Sequence, residues 1–192
     1  MRNIEKYYDN TKDANPNFTV KKFLELNVKP GNAIELGCGA GRDTVCLIRN
    51  GWNVLAIDRE DVESRIAAKL STEELRKFKF LKQKFEDIEL EKNNLVVANF
   101  SLPFCNNDSF KVLWNKINNR ILKDGYFVGN FFGSNDEWKR TKEEMTFLTK
   151  EQVTELFKDF EIVEFKEVEK DDFTGLGQMK HWHIFNVIAK KL

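Results

Sequence analysis

The chain has 192 residues, a length typical of one domain, and its 31 basic and 31 acidic residues give a formal net charge of zero. Hydrophobic residues make up 41% of the sequence, enough for a buried core. No window reaches the roughly 18 apolar residues of a membrane span, and the polar N-terminus carries no signal-peptide core. Zero net charge without a long basic run argues against a nucleic-acid partner.

The cysteines Cys38, Cys46 and Cys105 are odd in number and have neither disulfide-framework nor zinc-ligand spacing. We therefore expect reduced thiols in a cytoplasmic protein and no metal site.

Short apolar runs alternate along the chain with amphipathic stretches. The predicted strands are 32–36, 52–58, 79–82, 94–99, 125–132, 161–168 and 181–190. The predicted helices are 18–26, 42–50, a short one after the capping box that begins at Ser71, 108–122, and 149–158, which opens with a second capping box.

Runs this short, separated by helices, are typical of strands covered on both faces of a parallel sheet. Residues 161–168 alternate charged and apolar side chains, and no helix fits between them and 181–190. These two strands are predicted to pair as an antiparallel hairpin. We predict one α/β domain over residues 1–192, with a doubly wound sheet of about seven strands, mostly parallel, whose final strand is antiparallel.

The sharpest motif follows the first strand, where Glu35 precedes three glycines, Gly37, Gly39 and Gly41, and a helix begins. Glycines allow positive φ and close approach of a ligand, and the helix start offers free N–H groups. Asp58 ends the next strand, where a carboxylate can accept hydrogen bonds from both hydroxyls of a ribose.

The glycine spacing separates the nucleotide-binding classes. A nicotinamide or flavin fingerprint needs its third glycine at position 42, which is Arg here, and no Gly-Lys-Ser/Thr sequence ends the loop as in a P-loop. The Glu-x-Gly-x-Gly-x-Gly arrangement instead resembles motif I of the class I S-adenosylmethionine-dependent methyltransferases. Across nearly the whole chain, the sequence is most similar to the small bacterial methyltransferases of the tellurite-resistance type.

This resemblance implies a Rossmann-like fold, S-adenosylmethionine as cofactor, and a set of site residues. The residues it assigns to the cofactor are Glu35, Gly37, Cys38, Gly39, Gly41, Asp58, Phe85, Glu86, Asn99 and Phe100. Lys84 stands where the family often has an acid, so the group that reads the adenine amino group is left open. The N-terminal helical segment 1–28 is expected to cover the cofactor site, with Tyr8 as its aromatic residue.

Methyl transfer from a sulfonium needs a general base only for acceptors such as alcohols or neutral amines. His181, at the edge of the sheet where ligands bind, is the candidate catalytic base for such an acceptor. Trp138 and the hairpin turn near Gly175 are predicted to close over the acceptor.

The sequence thus favours a methyltransferase that acts on a small molecule such as a thiol or an oxyanion, as a monomer or homodimer without nucleic acid or membrane. The alternative is a non-catalytic S-adenosylmethionine-binding regulatory or interaction module on the same fold, because no catalytic base is convincing.

Overall fold

The computed structural model describes residues 4–192, and residues 1–3 of the predicted N-terminal segment lie outside the described residues. The helices are α1 Ile4–Thr11, α2 Phe18–Glu25, α3 Arg42–Arg49, α4 Glu63–Ala67, α5 Thr72–Leu75, α6 Asn107–Arg120 and α7 Lys150–Leu156. The strands are β1 Asn32–Leu36, β2 Asn53–Asp58, β3 Phe78–Lys82, β4 Asn93–Ala98, β5 Ile121–Gly133, β6 Phe147–Leu148, β7 Phe160–Phe173 and β8 Met179–Lys191.

The strands form one sheet in the order β3-β2-β1-β4-β5-β8-β7, and the short β6 pairs with the end of β5. Strand β8 runs antiparallel to both of its neighbours, β5 and β7, whereas the other pairings are parallel. The predicted α/β fold with an antiparallel final strand is confirmed. In such a sheet the carboxyl ends of β1, β2, β3 and β4 meet at one edge, where ligands bind.

Helices cover both faces of the sheet because successive strand residues point to opposite sides. One buried cluster joins α6 and α7 to Phe127 and Phe131 of β5. The other joins α1, α2, α3 and α4 to residues such as Val128 of the same strand. The edge that carries the glycine loop is therefore held between two rigid hydrophobic layers.

The main differences from the prediction are at the ends of three strands. Strands β7 and β8 extend to Phe173 and back to Met179, because their charged residues pair across the hairpin instead of forming its turn. Strand β5 begins at Ile121, since that residue pairs with Asn93 before a register shift in β4. The two-residue strand β6 was not predicted.

Within residues 4–192, no helix has the length and apolar character needed to cross a membrane. Among the same residues, no group of three His, Cys, Asp or Glu side chains is placed to hold a metal ion.

Candidate functional site

The glycine loop connects β1 to α3 at the ligand-binding edge. Gly37, Gly39 and Gly41 have φ angles of 69°, 53° and 77°, in the left-handed region that favours glycine. The N–H groups of Gly37 and Cys38 both donate to the carbonyl of Ile57, which fixes the loop against the end of β2. A Cβ added at Gly39 would have Tyr8 as its nearest neighbour, 3.7 Å away, so this position adjoins open space under α1.

Asp58, the last residue of β2, faces this loop. Its Oδ2 accepts a hydrogen bond from the Gly39 N–H at 2.9 Å, and its Oδ1 accepts one from the Glu60 N–H at 3.0 Å. Each carboxylate oxygen has a further lone pair, so the side chain can still accept from a ligand hydroxyl. The predicted proximity of the glycine loop and Asp58 is thus present in the structure.

Glu35 lies below the loop, buried between β1 and α3. Its Oε2 accepts a hydrogen bond from the hydroxyl of Thr44. Burial, and secondarily the nearby carboxylate of Asp43, raise the pKa of Glu35 well above its ordinary value. This position supports the loop from inside, and its contact with cofactor stays a prediction.

Cys38 packs into the cluster below the loop with 5% of its surface exposed. Burial raises the pKa of its thiol well above the ordinary value, so the side chain is an unreactive packing group, and contact of its backbone with the cofactor stays a prediction.

Asn99, directly after β4, is the centre of a buried polar network. Its Oδ1 accepts from the Thr19 hydroxyl at 2.7 Å and from Asn130 Nδ2 at 3.3 Å, while its Nδ2 donates to Asp43 at 2.9 Å. Asp43 also accepts from the Asn17 backbone N–H at 2.7 Å. The Asn99 side chain is therefore occupied by hydrogen bonds within the protein, and its contact with the cofactor stays a prediction.

Phe85 and Glu86 form a 3-10 turn after β3. The Phe85 ring is half-buried and reaches the glycine loop, since its Cζ would lie 3.5 Å from a Cβ at Gly37. Ser101 reaches the same point from the end of β4: its own Cβ would lie 2.5 Å from a Cβ at Gly37. Glu86 is exposed at the rim.

An aromatic wall adjoins this edge on the β5 side. Its members are Phe100, Phe104, Phe132, Trp138 and Trp182. Ring centroids lie 5.9 Å apart for Phe100 and Trp182 and 5.5 Å apart for Trp138 and Trp182. Phe100 has a φ of 50°, rare for a bulky residue, and its N–H donates to Asn130 Oδ1 at 2.8 Å.

A buried ion pair fixes this wall. Lys180 Nζ lies 2.5 Å from Asp136 Oδ2, and both side chains are almost completely out of solvent. The ammonium also lies 3.6 Å from the ring centroid of Trp182 and 4.5 Å from that of Trp138. The loop after β5 is thereby held against β8.

His181, the predicted base, lies beside Trp182 in β8 and points to the opposite face of the strand. Its Nδ1 is 2.7 Å from Asp171 Oδ1 and its Nε2 is 3.2 Å from Glu169 Oε1. The hydrogen bonds to Asp171 and Glu169 raise the pKa of the imidazole. Both nitrogens are occupied and the protonated form is favoured, which counts against a general base; a catalytic role for His181 stays a prediction.

Helix α1 lies over the glycine loop. Tyr8 is 3% exposed, and burial, followed by the charge of Asp58, raises the pKa of its phenol. Arg65 of α4 forms ion pairs with Glu5 and Asp9 of α1.

On the other side of α1, Asn10 Nδ2 donates to the Gly175 carbonyl at 3.0 Å in the β7–β8 turn. A Cβ at Gly175 would lie 2.6 Å from the Tyr7 ring, so α1 packs directly on the hairpin turn. The helix thus spans the cleft from α4 to the hairpin.

The sequence motifs identified the glycine loop and Asp58 but not every group that borders the cleft. The groups for which the sequence predicted no role are Thr19, Asp43, Asn130, Asp136 and Lys180. Only Asp43 had a local signal, as an acid in the first turn of α3. The others reach the site through contacts far apart in sequence.

Residues 2–176 match the family model described as "Tellurite resistance protein TehB". The chain belongs to the TehB family. The predicted resemblance to class I methyltransferases of the tellurite-resistance type is therefore confirmed. A comparison with curated protein sequences found no match.

Solved structures share the fold. TehB from Haemophilus influenzae is 16% identical with a TM-score of 0.74, over 90% of this chain and 61% of that chain. The N-methyltransferase NodS from Bradyrhizobium japonicum WM9, in complex with S-adenosyl-L-homocysteine, is 14% identical with a TM-score of 0.70, over 98% and 96%. Magnesium protoporphyrin IX methyltransferase from Synechocystis PCC 6803, with bound SAH, is 12% identical with a TM-score of 0.72, over 98% and 94%.

This chain therefore spans about three fifths of the length of the Haemophilus TehB chain. The two methyltransferases named above are matched over nearly their full lengths.

Proposed function

We propose that this TehB-family protein is an S-adenosylmethionine-dependent methyltransferase that acts on a small-molecule acceptor. The observation that carries the proposal is the left-handed glycine loop facing Asp58, beside the aromatic wall. Membership in the TehB family and the fold shared with methyltransferases that bind S-adenosylhomocysteine support it.

The residues of the cleft fit S-adenosylmethionine. The Gly39 backbone borders a space that a side chain would fill, and Asp58 keeps lone pairs for ribose hydroxyls. Phe85 offers an apolar ring beside Gly37 for the adenine. Tyr8 covers the loop from above and keeps water out of the cleft.

When bound, S-adenosylmethionine supplies a methyl group on a positively charged sulfur that becomes neutral on transfer. The chain contributes position and a dry environment. Phe100 has its strained backbone fixed by Asn130, so its ring is held where β4 ends, next to Trp182.

The aromatic wall favours an uncharged or anionic acceptor. The Lys180 ammonium already lies over the rings of Trp182 and Trp138, so the ring faces that it covers are not available to a cationic acceptor. A thiolate or an oxyanion needs no general base, in agreement with the paired state of His181. We propose that the protein works as a monomer or homodimer, without nucleic acid or membrane.

Binding is tested by calorimetry with S-adenosylhomocysteine. We expect wild-type protein to bind, and Asp58→Asn to lose about 1–3 kcal/mol of binding free energy, because a carboxylate that accepts hydrogen bonds becomes a neutral amide. Asp61→Asn, an exposed acid in the same loop, is the control and should bind like wild type. An Asp58→Asn variant with unchanged affinity would remove Asp58 from the ribose site.

Turnover is tested with methyl-labelled S-adenosylmethionine and a panel of thiols, selenium and tellurium oxyanions, and cationic amines. Label is expected in the first two groups and not in the amines. Tight binding without transfer to any acceptor would favour the regulatory module instead.

A further inference from the structure

Ser101 carries a buried hydroxyl that no described residue satisfies. The residue is 4% exposed, and its Oγ is out of solvent without a hydrogen-bond partner. A buried hydroxyl left unpaired destabilises the folded state, so native proteins rarely retain one without a reason.

This hydroxyl lies at the edge of the sheet where ligands bind. Ser101 follows Phe100 at the carboxyl end of β4, and its Oγ would lie 3.5 Å from a Cβ built on Gly37. The Phe85 ring, from the turn after β3, approaches the same point. Three connections that leave parallel strands thus converge on one unpaired donor.

The backbone holds the hydroxyl there. Phe100 has a φ of 50° and its N–H is bonded to Asn130, while the Ser101 carbonyl accepts from the Phe104 N–H at 3.0 Å. The Phe100 ring contacts Trp182 in the aromatic wall. The hydroxyl borders Gly37 and Phe85 instead, on the side of the cofactor.

The one other unpaired buried side-chain atom found among the described residues is different. Asn93 Oδ1 lies at the opposite end of β4, and the amide nitrogen of the same side chain donates to Glu91 and Arg120 carbonyls. At Ser101 the whole polar group is unpaired, at the edge where a ligand binds.

We propose that the Ser101 hydroxyl forms a hydrogen bond with the nucleoside part of bound S-adenosylmethionine. The proposal rests on the proposed function. A hydroxyl both donates and accepts, so it can pair with a ribose or adenine atom. Among residues 4–192 the hydroxyl has no partner, and in this proposal the cofactor supplies one.

The test measures the binding of two ligands and the thermal stability of the protein without ligand. Calorimetry of S-adenosylhomocysteine and of 5′-methylthioadenosine, which lacks the amino-acid part, is carried out on wild type, Ser101→Ala and Ser101→Cys. The control is Ser109→Ala, a serine in the first turn of α6. Unliganded melting temperatures are recorded for all four proteins.

We expect both Ser101 variants to bind each ligand about five- to tenfold more weakly, the factor for one neutral hydrogen bond, and Ser109→Ala to bind like wild type. The unliganded Ser101→Ala protein should melt no lower than wild type, because the lost hydroxyl had no partner.

Three results would overturn the proposal: unchanged affinity in the Ser101 variants, a loss for S-adenosylhomocysteine alone, or a lower melting temperature with affinity retained. Failure of the proposed function is distinct, because wild-type protein itself would then bind neither ligand.

Discussion

The carboxyl group of Glu35 is held out of water between β1 and α3, with the Thr44 hydroxyl as its donor. Its pKa is raised, so the native state binds this proton more tightly than the unfolded chain, whose Glu pKa is 4.5. The stability contributed by the protonated group is complete below the unfolded pKa and is lost as pH rises through the native pKa.

Glu35→Gln should therefore become more stable relative to wild type as pH increases, because glutamine keeps an acceptor for Thr44 without titrating. Within the titration window the gain approaches about 1.4 kcal/mol per pH unit. Urea unfolding at pH 5 and pH 8 measures it, with exposed Glu63→Gln as control. If the unfolding free energies of Glu35→Gln and wild type differ by the same amount at both pH values, the raised pKa of Glu35 is contradicted.

Spacing along the chain was sufficient to predict the loop from Glu35 to Gly41 and the proximity of Asp58, because one strand–loop–helix–strand unit contains them all. It could not predict the partners of Asn99. Thr19 lies 80 positions from Asn99, and the two meet only after the sheet and α2 have packed. Nor could the spacing predict that the Ser101 hydroxyl is unpaired, since that is a property of the folded surroundings.

Helix α1 has only eight residues, too short to be stable without its contacts. Arg65 connects it to α4 through Glu5 and Asp9. Surface ion pairs contribute about 0–1 kcal/mol each, enough to shift the position of a helix that is marginal on its own.

Arg65→Ala should therefore increase hydrogen exchange of α1 amides and accelerate release of S-adenosylhomocysteine, while amides of the central strands stay protected. A higher salt concentration should make hydrogen exchange in wild-type α1 more like that of the variant, because salt screens exposed ion pairs. Arg76→Ala, on an exposed arginine after α5, serves as control. Equal exchange in α1 for both variants would mean that Arg65 does not hold the helix.

The loop after β5 depends on the pair between Lys180 and Asp136. Removing one partner of a buried pair leaves an uncompensated charge, so Lys180→Met should lose about 3–5 kcal/mol of unfolding free energy. Adding Asp136→Asn removes that charge and should recover part of the loss. Lys190→Met, which breaks an exposed pair with Asp124, should cost about 0–1 kcal/mol. Urea unfolding measures these free energies. Equal losses for Lys180→Met and Lys190→Met would contradict the conclusion that the Lys180 pair contributes more because it is buried.

Short sequence motifs predicted the start of a helix well where the hydrogen bonds that fix it join residues close in sequence. The capping boxes at Ser71 and Thr149 are present, each with reciprocal side-chain and backbone hydrogen bonds. The predicted length of β7 was too short because its charged residues, such as Glu169 and Asp171, are typical of a solvated turn when only the sequence is considered. They are tolerated in a strand since β7 is at the edge of the sheet.

For the molecule as a whole, alternation of apolar strands and helices predicted the α/β class and the antiparallel final strand. The insertion of β8 between β5 and β7 depends on pairing over long sequence distances. The strand β6 has two residues, too few for any periodicity to indicate it.

The balance of 31 basic and 31 acidic residues has a consequence for the solution behaviour. The isoelectric point is near 6.8, so molecules repel one another least close to neutral pH. Precipitation with polyethylene glycol should require less precipitant at pH 6.8 than at pH 9, and 0.5 M salt should reduce the difference. Equal solubility at the two pH values would show that local patches on the protein surface, rather than its net charge, control how the molecules associate.

The position of β8 also determines the order in which the sheet can be completed during synthesis. Strand β7 leaves the ribosome first, and its one neighbour in the sheet is β8. At about 5–20 residues per second, a nascent chain spends roughly a second between the two strands. Until β8 is made, β7 has no partner strand and the edge of β5 that β8 will cover stays unpaired, so both are open to pairing with other chains.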